Sequence, residues 1–369
     1  MRSLCYGGHE QANGCSVQAA DCAYVDDVRI VSWQAPDADT CKEDRKVTPP
    51  GTKLDSAVPQ ARRLAKKGRG ASRLGRIVAV LCALLLVLAV AVVGTVGWIG
   101  SERAIHPRAV TYTWRLADYP NLRPQNVTFI SRTGIRIAAR FFPGRSHATI
   151  ILSHGYGDNQ NQMLPWASFL NRAGYSVLTY DMRDRGRSGG DAVTLGALEQ
   201  YDLISALDYL VSRRDVDKTR IGALGVSLGG STTILAAAQD RRIKAVVDDS
   251  GFADAPTVIA NAFTYFIHLP AFPFALISVK IAEWRAGVNV DAVRPVDKIG
   301  LISPRPIFII HGLADKAVLP VNSARNFAAA KAPKQIWWVR GAGHTQSRVV
   351  AGSLYVRRVV AFFRRYLGA

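Results

Sequence analysis

RIGALGVSLGGSTTILAAA, Arg220 to Ala238, is a run of apolar and small residues interrupted by one serine between glycines. Up to Val226 it has the length and composition of a buried strand, and from Leu228 that of a helix packed closely on its neighbours. Ser227 sits at the change. Gly225-Val226-Ser227-Leu228-Gly229 is a G-x-S-x-G, where small residues two positions to either side let the chain turn sharply and expose a hydroxyl at the head of a helix. Glycine-serine runs are also common in ordinary turns. This stretch alone therefore leaves open whether Ser227 is a nucleophile or only a turn residue.

On either side of it, apolar runs of strand length alternate with helical patterns. VTFISRTG and IRIAARFF (Val127 to Phe142) read as a hairpin. ATIILSHG, YSVLTYDM, RIGALGVS, IKAVVDDSG, PIFIIHG and KQIWWVRG follow as six further strands. Amphipathic segments such as LPWASFLNRAG and LEQYDLISALDYLVSRR lie between them. Strands joined by helical crossovers predict an α/β fold, a mostly parallel eight-stranded sheet with helices on both faces. In such sheets ligands bind at the carboxyl ends of the strands. HGYGDN, DMRDRGRSGG, GVSLGG, HGLAD and GAGH each follow a predicted strand, so five polar clusters fall where a site belongs.

A serine hydroxyl is a weak nucleophile that must pass its proton to a base, and the base must be held by an acid. Asp315 in HGLAD, four residues after His311, leaves one strand; taken singly it is an ordinary loop carboxylate or helix cap. His344 ends VRGAGH after the last strand, where two glycines let the loop reach back. The chain order Ser227, Asp315, His344, each after its own strand, selects the catalytic reading over the separate bland ones. For the oxyanion of a tetrahedral intermediate, the N–H of Leu228 at the helix N-terminus is one expected donor and the N–H of Tyr156 in SHGYGD the second. His154 is expected to fix that loop by hydrogen bonds, since His344 already serves as the base.

Together Gly225–Gly229, His154-Gly155, HGLAD and GAGH resemble the α/β-hydrolase superfamily, and within it the bacterial hydrolases with a serine-aminopeptidase-like (S33-type) domain, some of which carry one N-terminal membrane helix. The resemblance covers roughly Val127 to Leu367. YDMRDRGRSGG is similar to the family's D-x-R-G-x-G-x-S turn, with Asp181, Arg183, Gly186 and Ser188 retained and Asp184 in place of the first glycine. That turn is structural in the family. The resemblance implies an α/β-hydrolase fold and a serine hydrolase.

Ahead of this domain, Ile77 to Ile99 is a run of 23 residues without a charge. About 20 apolar residues cross a bilayer core as a helix, whereas the apolar part of a signal peptide is usually about 7–15 residues long. A transmembrane helix over 77–99 is therefore expected, with a buried core helix or a cleaved signal as the alternatives. The preceding segment 61–76 carries seven basic residues and no acidic one, and fewer follow the run. By the positive-inside rule the N-terminus is then cytoplasmic and the hydrolase domain (127–369, after a linker over 100–126) extracytoplasmic at the cell membrane. Residues 1–60 lack periodicity and read either as a disordered tail or as an over-long start.

The chain as a whole carries a net charge of +19. Beyond the basic segment the excess is diffuse, without zinc-finger spacing or an arginine-rich helix, so no nucleic-acid partner is expected. All five cysteines lie in the first 82 residues, without a CxxC pair or a ligand set, and neither a metal nor a cofactor is implied. Phe252 to Gly287, within a longer segment 252–298, is rich in Phe, Tyr, Trp and Pro and too long for a simple crossover; it reads as a lid-like insertion or as a crossover helix with an apolar underside. The expected function is a membrane-anchored serine hydrolase acting on a small acyl ester. A peptidase or aminopeptidase, or an acyl thioesterase, on the same triad is the enzymatic alternative, and a tethered binding domain the non-enzymatic one. An aminopeptidase needs carboxylates for the substrate ammonium, and the insertion offers only Asp254 and Glu283.

Overall fold

The structure is a computed structural model that describes residues 72–109, 114–268 and 270–368. Residues 1–60 and residues 61–71 of the basic segment lie outside the described residues. Eight strands form one sheet: β1 (Gln125–Ile130), β2 (Arg136–Phe142), β3 (Thr149–Ser153), β4 (Ser176–Tyr180), β5 (Ile221–Val226), β6 (Ile243–Asp249), β7 (Ile307–Gly312) and β8 (Lys334–Val339), in the order β1-β2-β4-β3-β5-β6-β7-β8. The sheet is mixed, because β2 runs antiparallel to both β1 and β4 while the remaining neighbours are parallel. This is an α/β-hydrolase-like fold.

Every residue of β3, β4, β5 and β7 is buried, as parallel strands covered on both faces require. The period of two divides their side chains between two cores. Ile151, Leu178, Ala223, Val246 and Ile309 face helices α3 (Glu199–Ser212) and α4 (Leu228–Gln239), whereas Ile150, Val177, Leu224, Val247 and Ile310 face α2 (Leu164–Arg172) and α8 (Ser347–Leu367). After β3 the chain steps to β4 on one side and returns to β5 on the other, leaving a crevice at the carboxyl ends of β3 and β5.

The apolar run lies in helix α1, Arg73–Ile105, long and apolar enough to cross a membrane. It continues six residues past Ile99, into the stretch expected to be linker, because Ser101 and Ile105 are buried against the domain that follows. The 252–298 segment forms a helical hairpin. Helix α5 (Ala255–Ala262) passes into a π-helical turn (Phe263–Ile267), the chain reverses, and a second π-helical turn (Ala271–Ala275) leads into α6 (Leu276–Ala286). A last crossover helix, α7 (Val321–Ala329), follows β7.

Candidate active site

Ser227 joins β5 to α4 with φ 54° and ψ −121°, a conformation an L-residue adopts only under constraint. The constraint is visible on both sides. The Ser227 N–H donates to the Asp249 carbonyl at 2.8 Å. A Cβ on Gly225 would collide with the Gly229 carbonyl, and one on Gly229 with the carbonyls of Ser153 and His154. These two glycines let the N-terminus of α4 press against the end of β3 and the His154 carbonyl that follows it. As the first residue of α4, Leu228 has no intrahelical acceptor for its N–H.

The structure brings Ser227, His344 and Asp315 together in one chain of hydrogen bonds. Ser227 Oγ lies 2.8 Å from His344 Nε2, and His344 Nδ1 lies 2.7 Å from Asp315 Oδ2. Asp315 is fully buried apart from that contact, and its Oδ1 accepts the N–H groups of Ala317 and Val318. Burial opposes its ionisation, yet hydrogen bonds from His311 and His344 outweigh the burial and hold its pKa down at about 2. It is therefore an anion that fixes Nδ1 as the protonated nitrogen of His344 and leaves Nε2 toward the serine.

His311, to which the sequence reading gave no role, sits with Nε2 3.3 Å from the same Asp315 oxygen. Its ring is wholly buried and bonded to Ser323 Oγ and the Val318 carbonyl. Burial lowers its pKa, but Asp315 and the Val318 carbonyl reverse the sign and leave it raised. The sequence reading also assigns no role to Asp248 and Asp249 behind the elbow, although two carboxylates ending an apolar strand are a signal. Tyr355 on α8 donates to Asp249 and accepts from Trp166 on α2. Burial pushes Asp248 up to about 7 against the pull of His311, while one of its oxygens accepts the Gly251 N–H.

His154 is buried, with Nδ1 2.8 Å from the Gly155 carbonyl and Nε2 accepting the Met182 N–H at 3.0 Å. Burial lowers its pKa. It is a neutral strut between the loops after β3 and β4. In the latter, Asp181 accepts N–H groups of Gln160 and Arg187, and Arg183 makes a buried fork with Asp202. Asp184 occupies its glycine-like position at φ 55°, a region aspartate tolerates better than most residues. Its carboxylate bonds Arg185 and lies 3.3 Å from His106, just past α1.

Tyr156 is tied to α1 as well: its hydroxyl lies 2.9 Å from the carbonyls of both Arg103 and Ala104. The side chain of this residue is thus engaged with α1, apart from the backbone amide expected to serve the oxyanion. Tyr156→Phe keeps the amide and is expected to leave kcat within about threefold while lowering stability by about 1 kcal/mol. Parallel turnover and thermal-melting measurements check it.

With this geometry established, the sequence model of the prolyl oligopeptidase family matches residues 167–369. The chain belongs to that family. Among its relatives is the uncharacterized protein YfhR of Escherichia coli O157:H7, 30% identical over 220 residues that make up 58% of this chain and 70% of the relative. YqkD of Bacillus subtilis, also uncharacterized, is 26% identical over 216 residues, 58% of this chain and 70% of its own. Two solved structures share the fold of this family member. The Pyrococcus furiosus esterase Pf2001 superposes with a TM-score of 0.61 at 24% identity, covering 72% of this chain and 99% of its own. The α/β hydrolase GrgF from a Penicillium species gives 0.56 at 21%, covering 67% and 100%. The α/β-hydrolase superfamily is thereby shown, at a coarser level than the serine-aminopeptidase-like group that the motifs resemble.

Proposed function

We infer that this protein is a serine hydrolase that cleaves carboxylic ester bonds, tethered to the cell membrane by α1. The observation that carries the reading is the unbroken Asp315–His344–Ser227 chain ending on a strained serine. Ser227 Oγ attacks the ester carbonyl as its proton passes to His344 Nε2. The N–H groups of Leu228 and Tyr156 stabilise the oxyanion. Collapse expels the alkoxide, which takes the proton back from His344, and leaves an acyl group on Ser227. Water activated by the same nitrogen then releases the acid and regenerates the serine. The basic segment before α1 supports a cytoplasmic N-terminus with the hydrolase domain outside.

The family match favours a peptidase as second reading. An aminopeptidase needs an available carboxylate for the substrate ammonium, and the two within residues 252–287 are engaged. Asp254 caps α5 and binds Arg325, while Glu283 binds Lys280 and the Val290 N–H. A panel of acyl p-nitrophenyl esters, acyl thioesters and aminoacyl p-nitroanilides separates the readings. The esters are expected to lead the anilides by at least about 100-fold in kcat/KM; the reverse order transfers the assignment to a peptidase.

A further inference from the structure

The helical hairpin between β6 and β7 lies along the end of α1 in a definite register. Ile277 meets Gly97, Ser278 meets Gly100, and Arg285 bonds Ser101 and Glu102. Residue numbers rise together, so α6 and α1 run in the same direction. On α1 the covered positions are Val93, Val96, Gly97, Gly100, Ser101, Ala104 and Ile105, a single stripe at spacings of three and four. Small residues in that stripe let the helices approach closely, as helices do in lipid.

The register decides what the hairpin tip faces. If Ile277 is level with Gly97, then Leu276 and the π-helical turn before it lie beside the closing turns of the charge-free run that ends at Ile99. Phe266, Phe272 and Leu276 are half to three-quarters exposed there, as is much of Tyr265. No Asp, Glu, Lys or Arg occurs from residue 255 to 279. Charges return at Lys280, Glu283 and Arg285. At that level Arg285 stacks over Trp98, 4.8 Å from the ring, and Trp284 stands exposed. Aromatic and cationic side chains at one level, with bare apolar ones about 10 Å further along the same helices at 1.5 Å per residue, reproduce the order met on crossing from headgroups to acyl chains.

We propose that the hairpin tip carrying Tyr265, Phe266, Phe272 and Leu276 dips into the bilayer beside α1, and that the site draws its acyl ester from that bilayer. The proposal rests on the reading of α1 as a membrane span and of Ser227 as the nucleophile of an ester hydrolase. The continuity of the tip with the apolar run on α1 is what identifies lipid as its cover. The hairpin also reaches the chemistry. Asn261 on α5 donates to the carbonyls of Lys316 and Ala317, next to Asp315, and the α1 carbonyls of Arg103 and Ala104 hold Tyr156. Where the hairpin packs on the last turn of α1 there is a small apolar crevice of about 40 Å³, bounded by Ala104, Ile105, Leu195, Ile259, Phe263 and Ala282.

The full chain, reconstituted in phosphatidylcholine–phosphatidylglycerol vesicles, tests this in two ways. In a chain whose five cysteines are serine, an environment-sensitive fluorophore on Phe272→Cys is expected to be quenched by lipids carrying a nitroxide on the acyl chain, and one on Lys331→Cys to be unaffected. Equal responses at the two positions overturn the dipping tip, as does a probe shielded only when a second copy binds. Phe266→Ser/Phe272→Ser is expected to raise KM for a vesicle-borne acyl ester about tenfold with soluble p-nitrophenyl butyrate turned over as before; a parallel loss on both substrates, or no change on either, overturns the bilayer supply. A wild type that cleaves no ester defeats the hydrolase reading instead, and a probe at Leu86→Cys that escapes quenching defeats the span, so those failures are distinguishable from this one.

Discussion

Ser227→Ala is expected to lower kcat for a short p-nitrophenyl ester by roughly 10⁴ to 10⁶-fold and to abolish labelling by a fluorophosphonate probe. On the proposed reading the variant removes the hydroxyl that forms the acyl-enzyme and leaves the rest of the site in place. The N–H of residue 227 still donates to the Asp249 carbonyl, and Gly225 and Gly229 still permit the close approach of α4 to β3. Loss of one hydroxyl from a 2.8 Å bond to His344 costs about 1 kcal/mol, a shift of roughly 2–4 °C in Tm for a domain of this size. A large kinetic loss with a small thermal one marks a nucleophile. Turnover unaltered by the substitution would falsify the role of Ser227, and a wild type that the probe does not label would point to a binding domain of hydrolase fold.

Much of this site was legible because parallel sheets write themselves plainly. Their inner strands are continuous apolar runs, and the polar residues that follow them must lie at the same edge of the sheet. That is how sequence groups three residues separated by 88 and 29 positions, Ser227, Asp315 and His344. Pairing between strands was not legible in the same way. The β1–β2 hairpin is local, but the insertion of β4 between β2 and β3 is a long-range choice that no periodicity records. Nor did the sequence announce that His311 shares Asp315 with His344, since that depends on how the HGLAD loop curls around one carboxylate.

The end of α1 was misleading for a related reason. Glu102 and Arg103 look like the close of an apolar helix, and by local rules they are. Tertiary contacts prolong it: Arg285 engages Ser101 and Glu102, Ile105 packs with Ala192 and Ala282, and the Ile105 carbonyl accepts the Val193 N–H. The consequence reaches the chemistry, because the last turn of α1 is what holds Tyr156. In this chain the apolar helix is thus part of the framework around the site.

Asp315→Asn is expected to cost about 10⁴-fold in kcat with little change in backbone structure. An amide presents an N–H where the carboxylate accepted one, so His344 turns its lone pair to Nδ1 and its proton to Nε2, and no acceptor faces Ser227. The same substitution has a signature in acid. The folded pKa of Asp315 is depressed to about 2 by His311 and His344, below the ordinary aspartate value of about 3.9. A depressed carboxylate contributes stability that is complete above the unfolded pKa and is lost as pH falls through the folded one, so the window runs from about pH 4 down to about pH 2. Two units correspond to roughly 2–3 kcal/mol for this buried group. Wild type should lose that increment over the window and the Asn variant should not, so their unfolding free energies are expected to differ most above pH 4 and to converge toward pH 2. Denaturant unfolding of both proteins at several pH values measures the difference; curves that stay parallel would show that His311 and His344 do not hold Asp315 as an anion, and the kinetic loss would then need another cause.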